Sequence, residues 1–91
     1  MIKGTTSTGF DFCVDDEKLA DNWEFVELMS DLDDKPFKVA KIVRVMIGEK
    51  QYADLRKHCT VADGHISSKR MNAEVNEIFN YSGNNETVKN S

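Results

Sequence analysis

The sequence predicts a mainly helical single small domain, about four helices behind an N-terminal β-hairpin. Three observations carry this. Residues 10–14 alternate at period two after a Thr/Gly-rich stretch, residues 15–80 carry apolar side chains at three- and four-residue spacing, and 91 residues are too few to divide between two cores. The domain is expected to span 1–80, with residues 81–91 as a flexible C-terminal tail.

The hairpin comes first. Phe10, Phe12 and Val14 fall on one face, with Asp11 and Cys13 between them, and Ser7, Thr8 and Gly9 supply turn chemistry. A lone hairpin is marginal in water, so that face must pack on the helices that follow. Asp15 is the expected N-cap of a first helix, with Val14 and Leu19 at the positions of a hydrophobic staple. Leu19, Trp23, Val26 and Met29 then recur at helical spacing, widened by Phe25, Leu28 and Leu32, while Asp21, Glu24, Glu27 and Asp31 lie outside the stripe. This predicts one amphipathic helix with an acidic outer face, ended by Asp33, Asp34, Lys35 and Pro36.

From Phe37 to Ile47 the chain is apolar nearly all round, with Lys38, Lys41 and Arg44 along one edge. The β-branched content leaves a strand open, but Pro36 and the three-residue spacing of the bases favour a buried helix stopped by Gly48. A short helix from about Glu49 to Cys59 turns Tyr52, Leu55 and Cys59 inward. Asp63-Gly64 marks a tight turn in the loop from Thr60 to His65. Ser67 caps the last helix, whose inner face is Met71, Val75, Ile78 and Phe79.

Composition excludes several functions. No apolar run approaches the roughly 20 residues a bilayer requires, and Met1 to Thr5 offers no signal-peptide core. Cys13 and Cys59 do not form a disulfide framework and read as reduced thiols. His58 and Cys59 are adjacent, so on a helix they diverge by about 100 degrees and do not converge on a metal with Cys13 or His65. No Gly-rich phosphate loop, nucleophile elbow or EF-hand pattern is present, so neither catalytic residues nor a cofactor are expected.

The net charge of -4 argues against non-specific nucleic-acid binding. Its distribution is uneven. From Asp15 to Asp34, Lys18 stands alone against Asp15, Asp16, Glu17, Asp21, Glu24, Glu27, Asp31, Asp33 and Asp34; from Lys35 to Arg70 the bases dominate. Glu24, Glu27 and Asp31 on one copy facing Lys38, Lys41 and Arg44 on another predict self-association through opposite charge faces. The runner-up is a small phage or mobile-element regulatory protein touching nucleic acid through the Lys38 stripe.

As an ordered set the motifs resemble small tail assembly chaperones of siphophages and prophages of Gram-positive bacteria. The resemblance covers nearly the whole chain: the Thr/Gly hairpin ending in Phe10-Asp11-Phe12, the Val-Asp-Asp entry followed by residues 21–28 (Asp-Asn-Trp-Glu-Phe-Val-Glu-Leu), Ile47-Gly48-Glu49 with Gln51-Tyr52, the Asp63-Gly64 turn, Glu77-Ile78-Phe79 and the terminal Lys89-Asn90-Ser91. Asn22, between the acid and Trp23, is a departure expected to leave the helical phase of Trp23 unchanged.

The resemblance implies a non-catalytic protein of the host cell cytoplasm, absent from the mature virion. It binds the phage tape-measure protein and keeps it soluble before the tail tube polymerises, with the tail tube protein as a second candidate partner and a homo-oligomer as the working form. Many members also exist in a longer form made by ribosomal frameshifting, and Lys89-Asn90 permits slippery codons when the Val88 codon ends in A. Such a holdase needs exposed apolar surface. Met29, Leu32, Phe37, Val39, Val45 and Met46 are the candidates, because a helix apolar on every side leaves some side chains without an internal partner in so small a domain.

Overall fold

The computed structural model describes the backbone of residues 1–31 and 36–90, and the side chains of 1–31 and 38–81. Two strands, β1 (Ile2–Thr5) and β2 (Asp11–Val14), precede four helices: α1 (Asp16–Ala20), α2 (Trp23–Ser30), α3 (Pro36–His58) and α4 (Ser68–Asn90). The expected class, four helices behind a hairpin, is the observed one.

The strands pair antiparallel with Gly4 opposite Phe12 and Lys3 opposite Cys13. The turn is made by Thr6, whose carbonyl accepts from the Gly9 amide at 2.9 Å and whose amide donates to the Phe10 carbonyl at 2.9 Å. Gly9 has φ +91°, the backbone such a three-residue hairpin loop needs after its first turn. Phe10, Phe12 and Val14 are buried, as alternation requires.

Each edge of this two-stranded sheet is met by one helical side chain. On β2, the Gln51 amide accepts from the Cys13 N–H and donates to the Cys13 carbonyl, both at 2.8 Å, as a neighbouring strand would. On β1, the Tyr81 hydroxyl donates to the Lys3 carbonyl at 3.0 Å, and its ring meets Phe12 edge-on at 5.5 Å. These contacts blunt edges that would otherwise invite pairing with another chain. Tyr81 thereby anchors α4, which runs from Ser68 to Asn90. Side chains beyond Tyr81 lie outside the described residues.

The expected first helix is two helices. Asp15 does cap α1, accepting from the Lys18 amide. Asn22, however, takes an extended backbone and its Oδ1 accepts from the Phe25 amide at 3.1 Å, which starts α2 afresh. A side chain that satisfies an orphan amide from outside the helix competes with continuing the helix through it. The departure at Asn22 therefore does change the phase of Trp23.

α3 runs as two helical stretches joined at Gly48, where φ is +82° and ψ 166°. Sequence had placed the stop there; the tertiary structure adds that the two stretches share one core. That backbone region is essentially closed to residues with a Cβ. Gly48→Ala meets no atom within 4 Å, so its effect isolates backbone strain. We expect it to cost about 1–3 kcal/mol in urea unfolding; a neutral result would mean the bend relaxes.

The core is one cluster: Phe10, Phe12 and Val14 from the hairpin, Val39, Ile42, Val43, Met46, Ile47 and Leu55 from α3, Cys59 just beyond it, and Val75 and Ile78 from α4. α3 contributes half of it, as expected of the most apolar element. Ser67 caps α4, its Oγ accepting from the Arg70 amide at 3.2 Å.

Candidate protein-binding surface

At about 100° per residue, α2 has three faces. Phe25 and Leu28 turn toward the core. Glu24 and Glu27 point to solvent, and Asp31 caps the C-terminus on that side. The third face carries Trp23, Val26 and Met29, which are 72%, 40% and 38% exposed. The expectation that Trp23, Val26 and Met29 form the buried stripe is thus reversed. Restarting the helix at Asn22 decouples their phase from that of Leu19, and the α2–α3 contact is made by the opposite side.

The protein-binding candidates separate accordingly. Met29 is exposed. Val45 is partly buried and, with Leu28, belongs to a shallow groove between α2 and α3 rimmed by Glu24, Lys41, Arg44 and Glu49. Val39 and Met46 are core residues, 8% and 7% exposed, so the surface role expected of them is corrected: the hairpin and α4 supply the internal partners that a helix apolar on every side needs. Leu32 and Phe37 lie outside the described residues.

The two charge faces are partly closed within one chain. Lys38 Nζ donates to the Asp31 carboxylate and carbonyl, each at 3.1 Å. Arg44 makes a two-pronged contact with Glu49, Nε to Oε1 and Nη2 to Oε2 both at 2.9 Å, and lies over the Tyr52 ring. Its hydrogen bond to Glu49 raises the Arg44 pKa and lowers that of Glu49. Of the expected basic stripe only Lys41 has no ion pair among the described residues. The same pairing occupies cations that the nucleic-acid reading requires.

A second polar cluster was not foreseen. The buried Glu74 carboxylate accepts from the hydroxyls of Thr6 at 2.7 Å and Thr8 at 2.9 Å, and Glu77 accepts from the amide and hydroxyl of Ser7 at 2.8 and 2.9 Å. His58 Nε2 lies 2.8 Å from Thr8 Oγ1. With the Thr8 proton directed to Glu74, His58 Nε2 is the donor to Thr8, the reverse of what activating a nucleophile requires. The cluster clasps the hairpin tip to α4. Its sequence signal was present: three consecutive hydroxyl residues at a turn, and two acids three apart on the inner side of a helix.

Burial, followed by the nearby Glu74 charge, pushes the Cys59 thiol up, away from a reactive thiolate. No group of three or more His, Cys, Asp or Glu that could hold a metal occurs among the described residues, and no helix among them is long and apolar enough to cross a membrane. Comparison of the chain with protein-family models, curated proteins and solved structures gives no match.

Proposed function

We propose that this chain is a tail assembly chaperone of a tailed bacteriophage or prophage, which binds the tape-measure protein in the host cytoplasm, keeps it soluble until the tail tube polymerises, and does not enter the virion. What supports the reading is the order and spacing of motifs along nearly the whole chain, together with the exposed apolar face of α2. That face is the carrying observation. A domain that leaves Trp23, Val26 and Met29 in water while burying smaller residues keeps apolar surface available to a partner. Met and Trp suit the purpose, the first by adaptability and the second by area. The client contact is assigned to Val26 and Met29, flanked by the Leu28–Val45 groove.

Co-expression with the tape-measure protein encoded nearby, followed by size-exclusion chromatography with light scattering, tests this. A soluble complex is expected. Val26→Ser with Met29→Ser should leave the fold within about 0.5 kcal/mol of wild type and abolish client solubility. Val39→Ser, in the core, should instead lower stability. An insoluble client beside free wild-type protein overturns the proposal.

A further inference from the structure

The apolar face of α2 has a charged border on one side only. With successive residues about 100° apart, Trp23, Val26 and Met29 span about 120° of the helix, and Glu27 and Glu24 follow about 40° and 100° beyond Trp23. Both carboxylates are exposed, and among the described residues no ion pair involves either. Asp31 lies on the same side, with its carboxylate already held by Lys38. Past Met29, the other side of the face runs into Phe25, which packs on the core. The helix therefore offers, side by side, apolar area in water and two carboxylates that no cation of the chain engages. Recognition through the main chain is hindered. Gln51 takes both peptide groups of Cys13 on one sheet edge and Tyr81 takes the Lys3 carbonyl on the other, so an extended segment meets a side chain on either edge. What α2 presents instead is a ridge of side chains at three-residue intervals, which fits the groove of another helix.

We infer that α2 takes an amphipathic helical segment of its client whose apolar stripe is bordered by Lys or Arg. The stripe covers Trp23, Val26 and Met29, and the bases meet Glu24 and Glu27. An Arg beside Trp23 also stacks on its ring. This assignment rests on α2 being the client-binding face, and it adds the chemistry that selects the segment. Apolar contact holds the client helix, while the two carboxylates turn away acidic helices that an apolar face alone would accept equally well.

Trp23 is the single tryptophan of the chain, so its fluorescence reads the contact directly. The probes are Trp-free peptides titrated into the purified full chain: one of Leu and Lys with Leu at helical spacing, a scrambled peptide of the same composition, one with Pro in its middle, and one with Glu in place of Lys. The first should shift the Trp23 emission to the blue and saturate; the other three should not. Glu24→Gln/Glu27→Gln should bind the first peptide about 2- to 30-fold more weakly, the loss of two exposed ion pairs. Val26→Ser/Met29→Ser should bind it about tenfold or more weakly, with the circular dichroism spectrum unchanged in both variants. No response to the first peptide, an equal response to any of the other three, or unchanged affinity in the folded Gln variant would each overturn the proposal. So would an emission that moves with protein concentration alone, which would put a second copy on this face. A tape-measure protein kept soluble by a chain whose Trp23 ignores the basic peptide would sink this inference and spare the chaperone function; peptide binding beside an insoluble tape-measure protein would do the reverse.

Discussion

Ile42→Ala is expected to lower stability by about 2–5 kcal/mol, while Trp23→Ala, which removes a far larger apolar side chain, should change it by no more than about 0.5 kcal/mol. Ile42 is fully buried in the middle of α3, so truncation loses its transfer free energy and leaves a cavity that the rigid neighbours fill only in part. Trp23 is 72% exposed and has little burial to lose. For a chain of 91 residues, total stability of about 0.05–0.15 kcal/mol per residue makes the Ile42 change a large share of the whole. Urea denaturation followed by circular dichroism reads both. Equal losses at the two positions would contradict the placement of α2.

The clasp between the hairpin tip and α4 carries the second large effect. Glu74→Ala removes the acceptor of the Thr6 and Thr8 hydroxyls and leaves the nearly buried Thr6 group inside with its other partners only, so about 2–4 kcal/mol should be lost. Glu74→Gln keeps the shape and one acceptor oxygen, and about 1 kcal/mol is expected. Because the contact joins residues near opposite ends of the chain, the hairpin amides should exchange with solvent faster in the Ala variant than the α3 amides do. Protection unchanged across the hairpin would mean that the aromatic face alone holds the strands down, without the carboxylate.

Much of the architecture was legible because it follows from local rules. The phase of Phe10, Phe12 and Val14, the caps at Asp15 and Ser67, the stop at Gly48 and the Asp63-Gly64 turn each depend on a few neighbouring residues and appear where the sequence placed them. The cap at Asn22 is equally local, but an uninterrupted apolar period across residues 19–29 masks it in the sequence. That cap turns Trp23, Val26 and Met29 outward, where a continuous helix would place them inside. Of the surface candidates Met29 is exposed, whereas Val39 and Met46 are buried because the hairpin and α4 pack against α3, which no local pattern specifies.

By itself the sequence determined the helical class, the hairpin, the break at Gly48 and the segregation of acids before bases, since propensity, capping and period act within one or two turns of chain. Only the tertiary structure decided which face of α2 meets α3, that Gln51 and Tyr81 cover the two strand edges, that Glu74 and Glu77 grip the turn at residues 6–8, and that Lys38 and Arg44 are taken by Asp31 and Glu49. Most of these join groups far apart along the chain, from 38 to 78 residues in the case of the hairpin contacts. Such contacts form only after the core has fixed the relative placement of its elements, and no local pattern encodes them.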